Sequence, residues 1–453
     1  MNLANFRPRL WEPSNLIGSG AGLALGGCVF WTLALNVTSA RAAGFGISSF
    51  DHSGSLSWTN AFASGVCCLE TADSPLGPWS PAANVFTANA NGQVMAELPR
   101  NNRFFRLLAA NVSASSPGGF TNLTQSYGLL RTVASNGAGG VDGIDYWQSS
   151  YEGNFATNVA LSRPHFAMAD AAGNMFIVDK DSHSVLKVTA DGRIHTVAGT
   201  HQAGNGPDAA TPATTVALNF PNGLWVGGDS MVYVLDTGNG KVRWLSTNGL
   251  LTTLLTDSNG ISGGRGLWVS DDRTLAYYVN GNDVKRWSPG TKIKSANNDN
   301  FSDPGNLIVR PDGNLLVTDR GANVVYLVYT AGANAGNRVA VFGDGSTNPA
   351  VDGAAVTATG LYGVRGIWPV PTGGYLLALH EGSQVLYVDA AGIVHVFVDG
   401  SPTAHAGDGA WFYAPGQKVS EVRSVSMDSR GHILIVENDN GYIRQIDFLR
   451  LTP

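Results

Sequence analysis

Charge is scarce in this chain. Of its 453 residues only 14% are Asp, Glu, Lys or Arg, well under the quarter usual for soluble domains. No run of Lys or Arg occurs, and the net charge is -6. Phosphate recognition needs clustered cations, so a nucleic-acid partner is excluded. Cysteine is nearly missing too. There are three, and Cys28 lies in an apolar N-terminal stretch. The others, Cys67 and Cys68, are neighbours, and neighbours on a strand point to opposite faces. That leaves no disulfide framework and no cysteine zinc site. An HExxH helix is absent as well, and with it the commonest metalloprotease arrangement. What the chain does have is glycine, 57 residues of it. Much Gly with little Lys or Glu argues against helices and for many tight turns.

The N-terminus reads as a leader. Arg7 and Arg9 precede a mostly apolar stretch from Leu16 to Val37, and Ala40-Arg41-Ala42 has the small-x-small form of a processing site. Residues 1–42 are expected to be a signal peptide, with the mature chain exported to the periplasm, the cell surface or the medium. An uncleaved anchor is the alternative, because the stretch is near the length of a bilayer span. Residues 46–110 alternate short strands with Gly, Pro, Asn and Ser turns, and Trp58, Leu69, Trp79 and Phe105 are the expected core of a small β module. Polar text with Gly and Pro, from Asn111 to about residue 127, reads as a linker.

From there to the C-terminus one phrase returns. "NMFIVDKDSHSVLKVTADGRIHTVAG" at residues 174–199 recurs in altered form as "SMVYVLDTGNGKVRWLSTNGLLTTLL", "GNLLVTDRGANVVYLVYTAG", "GGYLLALHEGSQVLYVDAAGIVHVFVDG" and "GHILIVENDNGYIRQIDFLR", with a degraded copy, "LAYYVNGNDVKRWS", in third place. Taking Pro164, Pro221, Gly264, Pro304, Val364 and Val422 as equivalent gives steps of 40 to 60 residues. That period, with up to four short strands per unit, predicts a β-propeller. The fold class expected is all-β: a six-bladed propeller over residues 128–453 behind a β-sandwich-like module. The sixth unit has only three strands, and "LLRTVASNG" at residues 129–137 matches "RIHTVAGT" at 193–200. Strand 129–134 is therefore expected to complete the last blade and close the ring.

The units resemble NHL repeats. Pro164, Gly173, Asp179, Val185, Gly192, Thr196, Ala198 and Gly199 of the first unit fit that family's motif, and residues 46–110 loosely resemble fibronectin-III-like modules of exported bacterial proteins. The resemblance implies the fold. It is weak for function, since this fold hosts unrelated activities.

Within the repeats, Asp179, Asp236, Asp319 and Glu437 end the second strand, with Asn280 and His380 read as holding the same place in the third and fifth units. Side chains there can accept backbone N–H groups and pin a turn. At the start of the innermost strands stand His165, Asn222, Arg265, Gly305, Arg365 and Arg423, which should converge at the mouth of the central channel. There the arginines either pair with those acids or face a ligand. Four connections on that face are long, at residues 135–161, 200–219, 344–363 and 401–421, and they carry the aromatic residues Trp147 and Trp411. A cup walled by the fifth, sixth and first blades is expected, with His165, Arg365, His380, Arg423 and Glu437 inside and Arg265 opposite.

Binding of a protein, a glycan or a small anionic ligand on this loop-rich face is the leading reading, with no nucleic acid and no transmembrane segment once the leader is cleaved. The alternative comes from the resemblance: related six-bladed propellers include metal-dependent lactonases and a hydroxyglycine lyase. No cofactor is evident in the sequence, and a zinc or calcium ion at the channel mouth stays open.

Overall fold

A computed structural model describes residues 24–25, 28–34, 45–50, 55–59, 61–95, 104–437 and 441–449. From Pro164 onward the chain is a succession of antiparallel sheets in which each strand pairs with the one before it. Five of them run through residues 164–199, 221–256, 267–295, 304–342 and 364–398. A further sheet comprises Val422–Met427, Ile433–Glu437 and Tyr442–Ile446, and its fourth strand is Leu129–Ala134, paired antiparallel with Ala134 opposite Ile443 and Leu130 opposite Ile446. These are called the first to sixth sheets below.

The first strands of these sheets form a ring. Each packs on the next, and Val422–Met427 packs back on Pro164–Ala169. The arrangement is propeller-like and nearly all β. The sheets are covered on both faces by their neighbours, so the second strands of the first, second, fourth and sixth are buried at every position and read as nearly unbroken apolar runs, "MFIVD", "VYVLD", "LLVTD" and "ILIVE". Glycine lets neighbouring first strands approach backbone to backbone. A Cβ at Gly223 would stand 2.3 Å from the carbonyl oxygen of Arg265, and one at Gly305 would stand 2.6 Å from that of Arg365. The third sheet is the weak one, its outer strand reduced to the exposed pair Lys294–Ser295.

Two further sheets precede the ring. Gly65–Ala72 lies between Phe104–Asn111 and Ser80–Thr87, and faces a sheet of Gly46–Phe50, Ser55–Thr59 and Gly92–Met95. Leu56, Trp58, Leu69, Phe105 and Leu107 fill the space between. Trp79 does not join that core. It is half-exposed under the guanidinium of Arg106, which is itself tied to Glu70. Of the expected leader only Ala24–Leu25 and Cys28–Ala34 are described, the latter a strand parallel to Phe104–Asn111. The processing motif at residues 40–42 lies outside the described residues.

The stretch expected to be a linker is packed. Gly118 takes φ +76° and starts a short helix, Gly119–Gln125. Leu123 and Tyr127 enter a common core with Val66, Cys68 and Leu108 of the module and Tyr387, Phe397, Phe412 and Phe448 of the fifth and sixth sheets. Asn84 also donates to the Ser126 carbonyl at 2.7 Å, and Phe86 stacks on Phe448 at 4.3 Å. The Gly and Pro that signal a linker instead shape a one-turn bracket between module and ring. Cys67 and Cys68 are both buried and in no disulfide, Cys67 facing the module core and Cys68 the ring.

Candidate functional site

Irregularity in the first strands builds the mouth of the channel. The pairing of first to second strand skips at His165, Asn222, Arg365 and Arg423, and over Gly305 and Asn306 in the fourth sheet. A β-bulge leaves one residue unpaired and re-aims its side chain. The same local feature thus turns these side chains off the sheet faces, where regular pairing would hold them.

A second set comes from the residue after each second strand. The backbone N–H groups of Lys180, Arg320 and His380 donate to the carbonyls of Arg163, Asp303 and Gly363 at 3.0, 2.9 and 3.0 Å. This corrects the alignment of His380 with the acids. Leu379 pairs with Val364 as Asp179 pairs with Pro164, so Leu379 holds the acid position and His380 is equivalent to Lys180 and Arg320. The error is one residue, and on a strand one residue is the difference between two faces.

These groups feel one another. Burial pushes the imidazole of His165 well below its ordinary range, and the charges of Arg423 and Arg265 push the same way. Burial also lowers His380 to about 4, against the pull of its Glu381 contact at 3.3 Å and with the help of Arg365 and Arg423. Arg365, 5% exposed, is pressed downward by burial first and then by Arg265, Arg423 and Arg320. Its Nε and Nη1 are enclosed without a hydrogen-bond partner, as are Nε2 of His165 and Nε2 of His380, while Nδ1 of His380 has only its 3.3 Å contact with Glu381. Arg320 donates to Asp303 at 2.7 Å and through Nε to Oε1 of Glu381 at 2.7 Å, while Oε2 of Glu381 is enclosed without a partner. Sequence reasoning missed Asp303, Arg320 and Glu381 because they flank the strands and carry no repeat signal. Arg265, expected on the opposite side, belongs to the same cluster, since its charge acts directly on Arg365 and His165.

The acids that end the second strands do not meet the mouth arginines. Asp179 accepts the N–H groups of Ser162 and Arg163, and Asp319 those of Ser302 and Asp303. Asn280 does the same for Ser262. They pin the incoming connection, and the following turn is also tied, by the Ala322 N–H donating to Asp319 at 3.3 Å and Asn239 donating to Asp236 at 2.8 Å. Glu437, expected in the site, is fully buried and serves this purpose with Ser420, while Arg444 donates to it at 2.8 Å. Asp236 has the same companion in Arg243 at 2.7 Å.

The long connections behave differently from the expected wall. Their ends lie along the outer strand of the next sheet, as where the Ala156 N–H donates to Gly192 and the Val356 N–H to Gly392. The middle of the first, Asp142 to Tyr146, reaches the mouth, where Asp142 contacts Arg163 and Lys180. Trp147 stacks flat on His201 at 4.8 Å, beside the mouth between the first and second sheets. Trp411 is at the outer edge, its Nε1 donating to the Tyr127 carbonyl and its backbone pairing with Leu129. Phe412 is buried in the bracket core. Loop aromatics look alike in sequence whether they face a ligand or a neighbouring strand.

The far end of the channel is aromatic. Trp225 packs on Trp268 at 6.3 Å and on Trp368 at 6.1 Å. The second and fifth sheets are not neighbours in the ring, so Trp225 and Trp368 meet across the axis. They stand three residues along the strand from the bulges at Asn222 and Arg365, roughly 10 Å below the mouth at a strand rise of about 3.3 Å per residue. The stretch of channel under the mouth, called the chamber below, therefore has indoles at its far end.

Among the described residues no group of three or more His, Cys, Asp or Glu is placed to hold a metal ion. A G-x-S-x-G string does occur, at residues 260–264, but Ser262 is an exposed turn residue whose backbone N–H is bonded to Asn280, and no helix follows it. What the mouth offers chemically is cationic donors and neutral imidazoles in a confined space.

No family model matches the chain, and no curated protein matches it significantly. Solved structures do. A structural-genomics protein of unknown function from Bacteroides thetaiotaomicron superposes with a TM-score of 0.55 at 13% identity, over 91% of this chain and 100% of its own. An auxiliary nutrient binding protein from the same organism gives 0.51 at 13% identity, over 90% and 99%. One from Bacteroides ovatus gives 0.50 at 11%, over 86% and 93%. At these identities the likeness is one of fold.

Proposed function

We propose that this chain is an exported, six-bladed propeller of NHL-like repeats carrying a small N-terminal β module, and that it binds a ligand on the face where the first strands begin. Cleavage after Ala42 would remove the strand Cys28–Ala34 and leave Gly65–Ala72 paired on both sides. The observation that carries the binding reading is the convergence of Arg265, Arg320, Arg365 and Arg423 with two neutral imidazoles in one mouth of a net-acidic chain. Concave sites with a few convergent polar groups are where ligands bind. A protein, a glycan or a small anion would fit such a face, and two structural neighbours described as nutrient binding proteins are in keeping with it.

The test is an array of neutral and acidic glycans and host-surface proteins probed with the mature chain and with the double variant Arg365→Ala/Arg423→Ala. Binding by the first and not the second is expected. Binding that survives in the variant would place the functional surface elsewhere.

A further inference from the structure

Arg365 poses a physical problem. A buried guanidinium with two enclosed nitrogens lacking any partner is costly, because charged donors removed from water need acceptors. The charges of three more guanidinium groups act on it, and Arg320 is bonded to Asp303 and to Oε1 of Glu381, whose Oε2 is enclosed without a partner. Near it Nε2 of His165, an acceptor because Nδ1 faces the Asn222 amide oxygen, and Nε2 of His380 are also without partners. Below lie the indoles of Trp225, Trp268 and Trp368, at the far end of the channel from the face that carries the bulges.

We infer that this chamber is a receptor for a single carboxylate group of a small organic acid, seated against Arg365 and flanked by Arg265 and Arg423. The proposal rests on the reading that this face binds a ligand, and specifies what enters it. A carboxylate is favoured over sulfate or phosphate on two grounds. It is planar, as the guanidinium is. It also carries one charge, whereas a dianion would sit against Asp303 and Glu381 in the same ring. The bulge at Arg365 is what makes the receptor, since in regular pairing this side chain would lie on a sheet face.

Calorimetric titration at pH 7 and fixed ionic strength tests this with acetate, D-glucuronate, D-glucose, sulfate and chloride as probes. Saturable one-to-one binding of acetate or glucuronate is expected, at least tenfold tighter than sulfate or chloride, with glucose inert. Arg365→Gln should weaken it at least tenfold, and Arg365→Lys should weaken it less, since a lysine keeps the charge but not the planar donors. Absence of carboxylate binding, equal affinity for sulfate or chloride, or unchanged binding in Arg365→Gln would overturn the proposal. If Arg365→Gln fails to fold, Arg265→Gln takes its place with the same expectation and the same overturning result. Array binding that is lost in the double variant while carboxylates give no heat would sink the carboxylate receptor and leave the binding face standing. Silence in both experiments would sink both.

Discussion

Arginine is buried in two ways in this molecule. Arg243 and Arg444 are fully enclosed and bonded to several acceptors each, with only Nε of Arg444 left without a partner. Arg243 donates to Asp236 at 2.7 Å, to the Pro207 carbonyl at 2.8 Å and to Thr253 at 3.1 Å. Arg444 donates to Glu437 and the Ala406 carbonyl, both at 2.8 Å, and to Asp408 at 2.9 Å. Each gathers a Gly-rich connection, "AGNGPD" or "AGDG", onto the third strand of its own sheet. Arg365 is buried almost as deeply and has none of this. The contrast separates a guanidinium retained for what it holds together from one retained at a cost to the fold. A cost that the fold does not recover is the signature of a binding group.

The comparison breaks most readily at Arg444. Replacing it by Met should leave the Glu437 carboxylate buried and unpaired, and should lose about 3–5 kcal/mol, the scale seen when one partner of a buried ion pair is removed. Urea unfolding measures it, and a loss below about 1 kcal/mol would mean the staple is not one.

The next effect concerns the mouth as a whole. His380 is lowered from 6.5 to about 4, so between those values the folded chain binds fewer protons than the unfolded one. Its contribution to stability is full above about pH 6.5 and is lost as pH falls to about 4, a change of about 3 kcal/mol at 1.36 kcal/mol per unit. His380→Asn should flatten the acid limb of a urea-midpoint profile by that amount and leave pH 7 little changed. A profile parallel to the wild type would show that His380 is already charged at the mouth.

The smallest effect sharpens the contrast. Arg365→Met should melt no lower than the wild-type chain when no ligand is present, since well-packed apolar replacements of buried charge are often neutral or stabilising by about 1–4 kcal/mol. A fall in melting temperature would move Arg365 into the class of Arg444.

Much of the ring was legible because repetition is redundant. The nearly unbroken runs "FIVD", "VYVLD", "LLVTD" and "LIVE" mark strands covered on both faces, and the likeness of "LLRTVASNG" to "RIHTVAGT" marks residues 129–134 as an outer strand, the place they take beside Tyr442–Ile446. The candidate site was legible only in part. His165, Arg365 and Arg423 were found because they occupy one repeat position. His380 was found under the wrong alignment, a residue away from the acids. Glu437 and Trp411 were expected in the site and lie elsewhere, one locked to Arg444 and the other at the outer edge of the sixth sheet.

Local pattern alone determined the strands, the turns between them and the period that stacks them, because each depends on residues within a few positions of one another. Tertiary structure decided the rest. It turned residues 119–125 into a bracket, since their apolar side chains find partners in both the module and the ring. It brought Arg265 and Arg365, 100 positions apart, into one electrostatic cluster, and let Trp225 meet Trp368 across the axis. Those encounters depend on closing a ring, and no local segment carries the geometry of closure.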